Sequence, residues 1–205
     1  MTTSVELVPL KCLHCGVYVP AEEEEVAWAC QQCGQGMQLT AAGLAQLTVN
    51  WAAARKKDDA VQWRPFWVFE GTVNLIRRET YGGGGVLATL TSLVDPNAPD
   101  KLWNVPRRFY VPAFPASLEK IETLGADLTR KQVALKAGPA AGVLSDCTLF
   151  PDDARQAVEF VVLTIEADRK DRLREVDFNL NLGEPELWVL PFEGKDEVGE
   201  LALTE

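Results

Sequence analysis

One histidine, two methionines and a shortage of bases limit what this 205-residue chain can be. The lone His14 leaves a serine or cysteine nucleophile elsewhere without a nearby imidazole to activate it, so triad chemistry is disfavoured. No apolar run approaches the roughly 20 residues that cross a bilayer, and the N-terminus lacks a signal-peptide pattern. The expectation is a soluble, cytoplasmic protein with no transmembrane segment. Lys and Arg number 20 against 30 Asp and Glu, for a net charge of −10. An acidic surface repels a phosphate backbone, whose neutralisation supplies most non-specific nucleic-acid affinity. Only residues 51–130 carry a basic excess, and nucleic acid would have to use a local strip there. Gly82–Gly85 is followed by no Lys-Ser/Thr and lacks dinucleotide spacing, so it reads as a hairpin tip and not as a phosphate loop.

What the chain does have is cysteine, concentrated at one end. Cys12, Cys15, Cys30 and Cys33 form two C-x-x-C pairs, and four soft thiolates at this spacing suit one tetrahedral metal, zinc first. Gly16 and Gly34 follow the second cysteine of each pair, where a metal-binding knuckle ends in a left-handed turn. Four thiolates leave no coordination position for water or substrate, so the ion would shape the chain without catalysing anything. Its binding would contribute on the order of 10 kcal/mol to local folding. Iron in a rubredoxin-like carrier would use the same ligands, and two disulfides would use the same cysteines in an exported chain. The missing export signal and the odd thiol Cys147 favour a reducing compartment. His14 reads as a turn residue, and Cys147 as a small buried hydrophobe. Asp152 and Asp153 stand where a helix start wants acids. No catalytic or organic-cofactor residues are assigned.

Ser4–Leu10 reads as a lead-in strand. Between the knuckles, Val17–Val19 and Val26–Trp28 suit a short hairpin with Glu22–Glu25 at its solvated tip. From Gly43 the apolar period is two, through Ala45, Leu47, Val49, Trp51 and Ala53. A polar turn over Arg55–Asp59 leads into Trp63–Ile76, a long aromatic strand entered through Pro65. Val86–Leu93 would be its returning arm and Leu102–Val111 another strand. Ser117 would cap a helix with Leu118, Ile121, Leu124 and Leu128 on its apolar face, interrupted by Gly125. A second helix would run from Pro151 to Ile165. Glu175–Leu182 and Glu186–Phe192 would close the chain as a hairpin turning at Gly183–Pro185.

Trp63, Phe66, Trp67 and Phe69 fall on both faces of their strand, which core packing explains. The alternative is an exposed patch of Trp63, Arg64 and Trp67, with Arg77–Arg78 and Arg107–Arg108 nearby. That composition suits a protein-docking surface, and it would also stack single-stranded bases.

Cys12-Leu13-His14-Cys15-Gly16 and Trp28-Ala29-Cys30-Gln31-Gln32-Cys33-Gly34 resemble the zinc-ribbon superfamily, over roughly residues 8–40. The resemblance implies that the four cysteines are the metal ligands, and it leaves the role open. The remainder, with its Arg-Pro-Phe-Trp-Val-Phe and Leu-Trp-Val-Leu-Pro-Phe segments, is similar to uncharacterised bacterial proteins that join such a ribbon to an α+β body. The expected organisation is a zinc ribbon over 1–40, an antiparallel α+β domain with one to three helices over 41–195, and a flexible acidic tail over 196–205. The expected role is a non-catalytic adaptor in a cytoplasmic protein assembly, able to form homo-oligomers. A transcription-associated ribbon and an enzyme with an unrecognised site are the alternatives.

Overall fold

The computed structural model describes residues 9–55, 61–81, 102–169, 171–194 and 199–204. In chain order the strands and helices are β1 (Ala27–Ala29), β2 (Gly36–Thr40), β3 (Gly43–Leu47), β4 (Val49–Trp51), β5 (Gln62–Thr80), β6 (Arg107–Pro112), α1 (Leu118–Lys131), α2 (Pro151–Ala167), β7 (Leu173–Leu182), β8 (Glu186–Glu193) and β9 (Glu200–Leu201). This is an α+β chain with two sheets. One is the antiparallel β1-β2-β3; the other runs β4-β8-β5-β6, with β7 on β5 and β9 on β8. The single parallel pair among these strands is β4 with β8, in an otherwise antiparallel sheet. The expected elements Gly82–Gly85 and Val86–Leu93, residues 4–8 of the lead-in strand and 56–59 of the polar turn lie outside the described residues.

The aromatic strand is the spine of the molecule. Nineteen residues long, β5 pairs through 66–71 with β6 on one edge. On its other edge it pairs through 62–68 with β8 and through 71–80 with β7. Strands β7 and β8 were expected to pair with each other. They instead follow one another along the same edge of β5, because Phe66 has Pro112 and Trp188 as its two partners and Gly71 has Arg107 and Leu182. Gly183–Pro185 is therefore a bulge in one long ribbon and not the turn of a hairpin. The Gly183 N–H donates to the Glu70 carbonyl at 2.8 Å. Arg155 of α2 donates to the Leu182 and Gly183 carbonyls at 3.2 and 2.9 Å, so the bulge has its own clamp.

Burial follows the strand period. Trp67, Phe69 and Val73 join Phe109, Val111, Leu187 and Val189 beneath Val158, Val161, Val162 and Ile165 of α2. Phe66 and Val68 point the other way, into a cluster with Tyr110, Phe114, Leu190, Phe192 and Leu128 of α1. Period two on a strand buried on both faces yields two apolar layers.

Helix α1 runs through Gly125 without a break. A β-carbon there would lie 2.7 Å from the Tyr110 carbonyl and 2.9 Å from Val161, so the glycine is where helix, strand and second helix come closest. The expected apolar face is shifted accordingly. Leu118 is exposed, while Gly125, Ala126, Leu128 and Thr129 are buried. Ser117 precedes the helix but makes no side-chain cap. The inward polar residues of α1 instead close the free edge of β6. Thr129 Oγ1 accepts from the Tyr110 N–H, and Gln132 exchanges hydrogen bonds with both backbone groups of Arg108. A sheet edge whose backbone groups are paired in this way cannot template another strand.

Helix α2 begins as its sequence suggests, with Pro151 in the first turn and Asp152 and Asp153 beside the positive end of the dipole. At the other end of the sequence, Glu200–Leu201 pairs with β8 as β9, and Ala54 bridges Leu203, so these acidic-tail residues lie on the sheet.

Candidate metal centre

The four thiols expected to hold a metal are brought together. Their Sγ atoms all lie within 4.8 Å of one another. The two knuckles are built alike. In the first, Gly16 N–H bonds the Cys12 carbonyl and Cys12 N–H bonds the Val17 carbonyl. In the second, Gly34 bonds Cys30 and Cys30 bonds Gln35. Gly16 and Gly34 have φ of 74° and 77°, the left-handed region their position requires, and a β-carbon at either would meet no atom within 4 Å. Backbone conformation, not space, selects glycine there.

The electrostatics differ from sulfur to sulfur across the cluster. The Cys15 backbone N–H, with that of His14 adding to it, outweighs desolvation and brings the Cys12 thiol down to about 6. His14 N lies 3.4 Å from Cys12 Sγ. At Cys33 the Gln35 N–H pulls the same way, but desolvation and the three neighbouring sulfurs overcome it and push that thiol up to about 12. One thiolate forms readily and the last is held back by crowding. A soft divalent ion among four sulfurs removes that repulsion, which is why such sets are deprotonated outright when loaded. The arrangement is zinc-ribbon-like and has the ligand set to hold a metal ion.

The expected hairpin between the knuckles is replaced by other pairings. Tyr18 bridges Lys11, while Val26 and the residues after it turn to β2. Glu22–Glu24 are solvated as expected, but Glu25 is buried, 9 % exposed. Its Oε2 accepts from the Trp28 indole and the Glu22 N–H, both at 3.0 Å, and its Oε1 accepts from the Asp146 N–H at 2.7 Å. Val26 N–H bonds the Cys147 carbonyl at 2.7 Å. The ribbon is thus fastened to the loop before α2. Strand β1 is the shared wall: Trp28 packs with Cys12, Cys30 and Met37 on the ribbon side, while Ala27 and Ala29 pack into the core beneath α2. Sequence reasoning missed Glu25 because its neighbours hid it. The available signal was Trp28, an indole N–H three residues on that needs an acceptor when buried.

The other candidate residues fall out differently. Trp67 is 1 % exposed, with its indole bonded to the Leu149 carbonyl at 2.8 Å, so it belongs to the core and to no docking surface. Trp63 is half-buried edge-on against Trp51, with ring centroids 5.4 Å apart. Arg64 lies over the Phe114 ring at 4.9 Å. The flanking arginines are engaged within the chain. Arg77 pairs with Glu79 and Glu175, Arg108 with Glu70, and Arg107 with the Leu102 carbonyl. Arg78 reaches the fully buried Glu166 at 2.6 Å and Asp171 at 2.5 Å; Glu166 also accepts from the Trp103 indole at 2.7 Å and pairs with Arg169 at 2.8 Å. Of the expected aromatic and basic patch, Trp67 lies in the core, Trp63, Arg64 and Arg108 are half-buried, and Arg77 is exposed, with Arg77 and Arg108 ion-paired within the chain.

Cys147 is buried, and desolvation pushes its thiol up to about 12, the character of an inert core thiol. Asp152 and Asp153 line an open groove with Gln38, Thr40 and Phe150. Among the described residues no helix is long and apolar enough to cross a membrane. No protein-family model matches the chain, and comparison with curated proteins and with solved structures finds no match.

Proposed function

We propose that this chain is a non-catalytic adaptor of the zinc-ribbon superfamily, in which Cys12, Cys15, Cys30 and Cys33 hold one structural zinc. The observation that carries the reading is the closed set of four sulfurs within 4.8 Å. Four thiolates fill a tetrahedral shell, so the ion sets shape and leaves no position for a reacting ligand. Zinc suits all-thiolate tetrahedral ligation, and its lack of redox chemistry suits a scaffold.

The partner is a protein, and the contact lies on the first knuckle. There Leu13, Val17 and Tyr18 are 47, 41 and 70 % exposed, and Lys11 Nζ lies 4.7 Å over the Tyr18 ring. The corresponding positions of the second knuckle are Gln31, Gln35 and Gly36, none of which offers an apolar side chain. Three large apolar side chains held outward on a rigid turn supply the anchor that an interface needs. Trp63 and Arg64 remain at the edge of the body as a lesser contact.

The test is a native-host purification followed by metal analysis and a side-by-side capture with Leu13→Ser/Tyr18→Ser. The expected result is one zinc per chain without iron, and at least a tenfold loss of co-purified protein in the variant. A folded, metal-free protein, iron in place of zinc, or equal capture by the variant would each overturn the reading.

A further inference from the structure

All four sulfurs lie within 4.8 Å of one another, and two of the pairs that cross from one knuckle to the other approach to hydrogen-bonding distance. Cys12 Sγ lies 3.5 Å from Cys33 Sγ, and Cys15 Sγ lies 3.6 Å from Cys30 Sγ. Each pair joins an exposed cysteine to a buried one, since Cys15 and Cys33 are exposed while Cys12 and Cys30 are buried. The neighbouring residues His14, Gln31 and Gln32 are exposed as well. One residue of each pair thus lies on the solvent side of the cluster.

We propose that the ribbon is a peroxide-sensitive switch in which two nested disulfides, Cys12–Cys33 and Cys15–Cys30, replace the metal as the link between the knuckles. The inference rests on the closed-site reading above. In the loaded site, where all four sulfurs are deprotonated, the sulfur of the exposed Cys33 attacks hydrogen peroxide; it takes one oxygen to become a sulfenic acid, and the other oxygen leaves as water after taking up a proton. The thiolate of Cys12 then attacks the Cys33 sulfur; the S–S bond forms, the S–O bond breaks, and the oxygen leaves as a second water after protonation. Cys15 and Cys30 repeat the sequence. Each pair gives two electrons to one peroxide, and the metal, deprived of its thiolates, leaves as the divalent ion.

Geometry decides the pairing and the consequence. Disulfides inside each C-x-x-C would leave the knuckles unconnected once the ion departs. Cross-knuckle bonds close loops of 21 and 15 positions, one within the other, and keep both knuckles in register. Oxidation would discharge the metal while keeping the ribbon's shape.

The experiment uses the full, metal-loaded chain and hydrogen peroxide, with zinc read by a metallochromic dye, thiols counted, and linkages mapped by non-reducing peptide mass spectrometry. The expected result is release of the zinc with about two equivalents of peroxide consumed. Four of the five thiols should be lost, Cys147 retained, and Cys12–Cys33 and Cys15–Cys30 peptides should dominate. Hydrogen exchange should then show β1–β3 protected in the oxidised chain but not in the reduced chain stripped by chelator. Cys12–Cys15 and Cys30–Cys33 linkages, sulfinic or sulfonic acids in place of disulfides, or metal and thiols retained under excess peroxide would each overturn the proposal. Metal content is measured before peroxide is added. Metal present with the wrong linkages sinks the switch alone, whereas no metal at the outset sinks the closed-site reading and the switch with it.

Discussion

Among the described residues the ribbon's own cluster contains five buried apolar side chains, two of which are the candidate ligands Cys12 and Cys30, whereas the cluster beneath α2 contains twenty. A cluster of five cannot offset the chain entropy of some 40 residues. The body can, because Trp67, Phe69, Phe109 and the α2 valines bury aromatic and branched side chains on a single sheet face. The difference teaches that packing alone accounts for the body but not for the ribbon, whose four clustered thiols are the remaining candidate for holding it. Strand β1 is where they meet, with Trp28 on one side and Ala27 and Ala29 on the other.

The largest expected effect follows from that division. Removing the ion with a strong chelator at neutral pH should withdraw on the order of 10 kcal/mol from the ribbon. Hydrogen exchange should then lose protection over 10–47 while β5, β8 and α2 keep most of theirs. Uniform loss across both regions would break the comparison and make the molecule a single cooperative unit.

Next in size is an attack on the body alone. Glu166 is fully buried and holds the Trp103 indole, Arg78 and Arg169. Glu166→Ala leaves two guanidinium groups and an indole short of a buried acceptor, a loss of about 3–5 kcal/mol for a broken buried charge network. Urea unfolding of the metal-loaded protein reads it, and metal affinity should be unchanged. A shift in metal affinity would mean that the two regions share more than a wall.

The seam itself gives a smaller effect. Glu25→Ala strands the Asp146 N–H and the Trp28 indole, at about 1–3 kcal/mol for the groups left unsatisfied. Its signature is a loss of coupling: after the substitution, chelator should destabilise the body less than it does in the parent. The comparison of melting temperatures with and without metal in both proteins supplies the measurement, and equal differences would place the coupling elsewhere.

How much of this was legible in the sequence depended on how local the cause was. The knuckles were legible because ligand spacing and Gly16 and Gly34 act within five residues, and β5 and α2 because period and length are local patterns. The partners of those elements were not. Leu182 and Glu186 flank a turn-like Gly-Glu-Pro, and nothing nearby records that β5 is long enough to pair with both strands in succession. Gly125 reads as a helix breaker because the Tyr110 carbonyl and Val161 that demand it lie elsewhere in the chain. Glu25, inside a run of four glutamates, looked solvated for the same reason. Trp67, which suggested a surface, serves the interior, because a side chain's composition does not say which way it points.

The smallest effect sharpens the contrast within the body's ion network. Asp171 shares Arg78 with Glu166 but is 44 % exposed. The Arg78 hydrogen bond is the main cause holding its carboxyl below the ordinary carboxylate value, ahead of the opposing desolvation. A folded-state value below the unfolded one, near 3.9 for a free aspartate, means that the unfolded chain binds the proton first. The contribution is therefore complete above about pH 5 and is lost as pH falls through the depressed folded value. Solvent screening at an exposed carboxylate limits it to under about 1 kcal/mol. Asp171→Asn should flatten the stability-versus-pH curve of the metal-loaded protein below pH 5 by that amount and leave the neutral region nearly parallel. Salt should shrink the parent's slope but not the variant's. A slope that survives both the substitution and salt would assign the acid sensitivity to other carboxylates of the network and remove Asp171 from it.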